Sequence, residues 1–70
     1  MDISSNIRQA RIAAGFSQRD LARRLGVSSV AVTKWESGRS YPSADKIPAL
    51  ADALSVPIDR LYGRDSPPPG

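Results

Sequence analysis

Seventy residues with no cysteine and no histidine make one small domain held by packed side chains, because disulfides and ordinary zinc sites are excluded. Ten Lys+Arg against seven Asp+Glu leave a formal charge of +3, a balance that suits a polyanionic partner without demanding one. No stretch approaches the ~18 apolar residues of a membrane span. The start Met1-Asp2-Ile3-Ser4-Ser5 lacks the basic and apolar parts of a signal peptide, so a cytoplasmic location is expected.

Ile3, Ile7, Ala10 and Ala14 recur at helical spacing and Gly15 stops the run, which predicts a first helix. Ser17 reads as the N-cap of a second, with Asp20 completing a capping box in which Asp stands for the usual Glu. Leu21, Ala22 and Leu25 share one face of that helix, and Gly26 ends it in a sharp turn. Ser28 is the next predicted cap. The helix over 29–37 carries Ala31, Val32 and Trp35 on one side, and Gly38 closes it.

Arg39-Ser40-Tyr41-Pro42 is a loop, after which Ser43 is expected to cap a fourth helix reaching about Leu54. Pro48 within it removes a hydrogen bond and disfavours helical geometry at Ile47, so a distorted first turn or a later start is expected. Pro57 followed by Ile58, Leu61 and Tyr62 predicts a short fifth helix. From Gly63 the chain reads Gly-Arg-Asp-Ser-Pro-Pro-Pro-Gly, which buries almost nothing and is expected to be a disordered tail or linker. Period-two alternation is missing throughout. The expected organisation is therefore an all-α domain over 1–62, followed by a tail over 63–70.

The informative block is 18–37. It places small Ala22 where two helices must approach, Gly26 at the bend, and Leu21, Leu25, Val27, Val32 and Trp35 along a common seam. Two short helices at a steep angle, a tight turn and a shared apolar seam are what a helix-turn-helix requires. If Ala31, Val32 and Trp35 point inward, then Ser29, Val30, Thr33, Lys34 and Ser37 point outward. Trp35 falls on the inward stripe and is read as core rather than as a stacking platform.

Ser17-Gln18-Arg19-Asp20-Leu21-Ala22-Arg23-Arg24-Leu25-Gly26-Val27-Ser28 resembles the S-Q-x-x-L-A-x-x-L-G-V-S run of the Cro/phage-repressor (XRE-type) helix-turn-helix family. Lys34-Trp35-Glu36-Ser37-Gly38-Arg39 with Tyr41-Pro42-Ser43 is similar to its W-E-x-G-x-x-x-P run. Leu50 to Val56 resembles the helix packed behind the motif, so the likeness covers about residues 5–62. It implies a lambda-repressor-like bundle of five short helices, with helices 2 and 3 forming the helix-turn-helix. It also pairs Arg11, which shares the face of Ile7 and Ala14, with Glu36 in a structural ion pair.

The function so implied is that of a sequence-specific transcriptional regulator of double-stranded DNA, a repressor in the simplest case. Its recognition helix would enter the major groove with N-terminal residues at the base edges. Lys34 can donate to guanine O6 or N7, Ser29 and Thr33 can pair with several bases, and Val30 can pack on a thymine methyl. Val30 also has plainer readings, as a tolerated surface valine or as one lying at the edge of the core. Gln18, at the start of the second helix, is expected at phosphate, as is Ser28. Ser37, Arg39 and Ser40 are expected to clamp a further phosphate through side chains and backbone N–H groups. Arg39 could equally be a solvated loop charge.

No catalytic cluster, metal site, cofactor motif or small-molecule site is evident in the residues, which argues against an enzyme. The competing reading is a protein-interaction module on the same fold, such as an antitoxin or a transcriptional bridging factor. An acidic or strongly apolar outward face on the third helix would favour it; the Ser, Val, Thr and Lys present here favour DNA. A (pseudo)palindromic operator is expected, with half-sites ~34 Å apart. Self-association would have to use 54–62, near Leu54, Val56, Pro57, Ile58, Leu61 and Tyr62, as a weak homodimer tightening on DNA.

Overall fold

A computed structural model describes residues 3–63, which form five helices and no strand. They are α1 (Ile3–Ala13), α2 (Gln18–Leu25), α3 (Ser29–Ser37), α4 (Lys46–Leu54) and α5 (Ile58–Leu61). Beyond Gly63, the tail expected from the sequence lies outside the described residues.

The caps explain why the chain breaks where it does. Ser17 Oγ accepts from Asp20 N at 3.0 Å, and Asp20 Oδ2 accepts from Ser17 N at 3.2 Å, so the Asp variant of the capping box is complete. Ser28 Oγ accepts from Ala31 N at 3.2 Å and starts α3. Gly26 and Gly38 close α2 and α3 in the left-handed region, at φ 70° and 80°, where a side chain would be strained. The turn between α2 and α3 can therefore be as short as three residues.

The expected cap of the fourth helix is corrected. Ser43 does not cap it. The helix starts at Lys46, with Asp45 at the N-cap position making no side-chain cap, and the Ser43 hydroxyl donates instead to Asp45 Oδ1 at 2.6 Å. Pro48 is the reason for the later start. It falls at the third helical position, where its missing N–H would have had no intrahelical acceptor.

The core is aliphatic, with one indole. Ile7 and Ala10 of α1, Leu21, Ala22 and Leu25 of α2, Val32 and Trp35 of α3, and Ile47, Leu50, Ala51 and Leu54 of α4 are buried together with Leu61. Helix α3 packs on α1 and α2, α4 backs α2, and α5 closes the end of α1 and α4. Asn6 Nδ2 donates to the Leu61 carbonyl at 3.1 Å, which ties α5 down by a polar contact as well. Ala14, expected on the inner face of the first helix, is exposed because that helix ends at Ala13. Ala31 is half-buried at the edge of the core.

Candidate nucleic-acid interface

Two buried side chains determine the orientation of α3. Val32 is fully buried and Trp35 nearly so, which rotates the opposite side of the helix into solvent. Ser29, Val30, Thr33, Lys34 and Ser37 are all exposed, as their spacing implies. Val30 is 59% exposed, which favours its reading as a surface residue over one at the edge of the core.

The far end of α3 is braced from beneath. Arg11 Nε donates to Glu36 Oε2 at 2.7 Å and Nη2 to Oε1 at 3.1 Å, a two-pronged ion pair with the two side chains 13% and 4% exposed. The third arm, Nη1, donates to the Phe16 carbonyl at 2.8 Å, where the chain enters α2. One guanidinium thus ties the end of α1, the start of α2 and the end of α3.

Gln18 belongs to the same network. Its Nε2 donates to Glu36 Oε1 at 3.0 Å, while its Oε1 accepts from Thr33 Oγ1 at 2.8 Å. Thr33 Oγ1 also lies 3.0 Å from the Ser29 carbonyl, a second acceptor for the same proton. These links join residues 15 to 25 positions apart. Periodicity carries no signal for them. Gln18 is half-buried, and its bond to Glu36 engages one of its two amide hydrogens.

The other residues expected at phosphate differ in what they can offer. Ser28 uses a lone pair for its cap and retains its hydroxyl proton. Ser37 spends its proton on the Lys34 carbonyl at 3.1 Å. The backbone N–H groups expected in a clamp at the end of α3 make bonds within the protein. Gly38 N donates to Trp35 O, Arg39 N to Lys34 O at 3.0 Å, and Ser40 N to Lys34 O at 3.4 Å. Satisfying the last carbonyls of α3 consumes those donors. What Arg39 offers is an exposed side chain, and Ser40 is half-buried.

The α2 start also carries Asp20, whose carboxyl lies below the usual carboxylate range. The hydrogen bond from the Ser17 backbone is the largest cause, aided by the Ser17 hydroxyl and by Arg23 and Arg19. Elsewhere a shallow cavity of about 570 Å³ opens between the end of α1 and the α4–α5 link, lined by Ala10, Phe16, Leu54, Val56 and Arg60 among others. None of the exposed α3 residues line it. Of the apolar residues expected to serve self-association, Leu54 and Leu61 are core, whereas Ile58 and Tyr62 are exposed. No helix among the described residues is long and apolar enough to cross a membrane.

Comparison with known proteins converges on this geometry. A helix-turn-helix family model matches residues 7–61. The transcriptional activator BcrR of Enterococcus faecalis is 36% identical over 61 residues, covering 87% of this chain and 30% of its own length. An uncharacterized transcriptional regulator in the ATPase CF(0) region of Rhodospirillum rubrum is 42% identical over 60 residues, covering 86% of this chain and 56% of its own. The chain thus spans from under a third to just over half of these relatives. Among solved structures, the P22 c2 repressor in complex with a synthetic operator superposes with TM-score 0.85 at 31% identity, covering 93% of this chain and 98% of that one.

Proposed function

The chain belongs to the helix-turn-helix family, of the Cro/phage-repressor type, and on that premise we propose that it is a sequence-specific DNA-binding transcriptional regulator acting as a repressor. The observation that carries this reading is the division of α3, with Val32 and Trp35 buried and Ser29, Val30, Thr33 and Lys34 exposed side by side. A polar face with one cation and one β-branched apolar side chain matches the donor, acceptor and methyl pattern of major-groove base edges. Ser29, Val30, Thr33 and Lys34 contact bases. Gln18, Ser28, Ser37, Arg39 and Ser40 lie along the phosphates, with Arg39 supplying charge and Ser28 a free hydroxyl proton.

A small module of this kind covers half of a two-fold site, so the operator is (pseudo)palindromic with half-sites ~34 Å apart. Weak pairing of two copies uses Ile58 and Tyr62, the exposed apolar residues of the α5 region. The protein works in the cytoplasm, on the nucleoid when bound.

Selection from a randomised duplex library, with salt titrated on the best and on a scrambled sequence, tests this. A recovered palindrome, held well above the scrambled duplex and weakened by Val30→Ala or Lys34→Ala, supports the reading. Equal and weak binding to both duplexes refutes it and favours a protein partner for the same face.

A further inference from the structure

We propose that the buried Glu36 carboxylate, acting through Gln18, holds the Thr33 hydroxyl as a hydrogen-bond acceptor toward DNA and so makes Thr33 select a base bearing an exocyclic amine. The chain of cause begins with Arg11, whose two-pronged bond holds Glu36 as an acceptor-only carboxylate. An amide facing such a group must turn its NH₂ toward it, which is the orientation of Gln18, with Nε2 3.0 Å from Glu36 Oε1. The carbonyl of the same amide is thereby aimed at α3, where it accepts from Thr33 Oγ1 at 2.8 Å. The Ser29 carbonyl competes for that same single proton at 3.0 Å.

A hydroxyl has one proton and two lone pairs. With two acceptors inside the protein claiming the proton, Thr33 has only lone pairs for a ligand. In the major groove those pair with adenine N6 or cytosine N4, the donors there, and not with guanine O6, guanine N7 or thymine O4, which are acceptors. A free threonine hydroxyl reads either kind; this one reads one kind. Gln18 and Glu36 are positioning residues for that choice, and Thr33 determines specificity. The base preference rests on the DNA-binding reading above, whereas the relay inside the protein does not.

Two measurements separate them. In NMR of the free domain, the Gln18 side-chain amide is expected to exchange more slowly than that of exposed Gln9, with through-space contacts to the Arg11 guanidinium rather than to the Thr33 methyl. Exchange matching Gln9, or an NH₂ lying against Thr33, overturns the relay. In duplex selection with wild type and Thr33→Val, the base pair whose preference changes identifies the Thr33 contact. Wild type is expected to favour adenine or cytosine there. Replacing that base by purine or by a pyrimidinone without the amine should weaken wild type about fivefold, the worth of one hydrogen bond, and leave Thr33→Val nearly unaffected. A preference for guanine or thymine, equal sensitivity of both proteins, or no position altered by Thr33→Val overturns the base preference. Absence of sequence preference in every duplex overturns the DNA-binding reading itself, and the exchange measurement still decides the relay.

Discussion

Replacing Arg11 by Met removes a guanidinium that joins α1, α3 and the entry to α2 through its hydrogen bonds. The guanidinium makes three hydrogen bonds, two to Glu36 and one to the Phe16 carbonyl, and the Glu36 side chain it serves is 4% exposed. Methionine fills similar space but leaves a carboxylate with only the Gln18 amide as donor, and an unpaired carbonyl at the entry to α2. Removing one partner of a buried pair costs about 3–5 kcal/mol. A domain of 70 residues holds only about 4–10 kcal/mol in all, so the loss is roughly 30% of the total or more. At about 4–8 °C per kcal/mol for a domain of this size, the melting temperature should fall by at least about 12 °C. Thermal and urea unfolding followed by circular dichroism measure this directly. The double variant Arg11→Met/Glu36→Met should recover a large part of the loss, because no charge is left stranded. An Arg11→Met protein that melts like wild type would refute the reasoning, as would a double variant no better than the single one.

Ser55 closes α4 at φ 57°, the one non-glycine residue in the left-handed region among those described. Ser55→Gly should therefore raise stability by about 0.5–1 kcal/mol, the left-handed strain relieved less the extra chain entropy of glycine; a lower melting temperature would contradict this. The capping-box carboxyl of Asp20 is depressed in the folded state, so its stabilisation is complete above the ordinary carboxylate pKa and lost as pH falls through the folded value. Asp20→Ala should accordingly flatten the loss of stability below about pH 4 and leave the slope near neutrality unchanged; an identical acid profile would count against the box. Arg39→Ala should lower the slope of log affinity against log salt by about 0.9 without altering the selected sequence, and an altered base preference would move Arg39 from phosphate to base.

Much of the architecture was legible because it depends on neighbours in the chain. Ser17 and Asp20, Ser28, Gly26 and Gly38 act within four residues of their partners, so the starts and stops of α2 and α3 follow from residue type alone. Ser43 misled for a related reason. A serine ahead of an apolar run looks like a cap, but Pro48 shifts the start to Lys46 and leaves Ser43 bonded to Asp45. The backbone part of the clamp expected after α3 misled similarly, since a helix closing on Gly38 uses the N–H groups of 38–40 for its own last carbonyls and leaves only side chains for phosphate.

By itself the sequence determined the five helices, the helix-turn-helix and the outward face of α3, since each depends on spacing, caps and the burial of Val32 and Trp35. Only the tertiary structure decided the hydrogen-bond polarity of that face. Glu36, Gln18 and Thr33 come from two helices and meet only when α2 packs against α3. The packing of α5 against α1 and α4 likewise placed Leu54 and Leu61 in the core and left Ile58 and Tyr62 outside, a division that an apolar stretch over 54–62 does not reveal. Spacing reports which way a side chain points, whereas its hydrogen-bond state depends on what the fold puts opposite it.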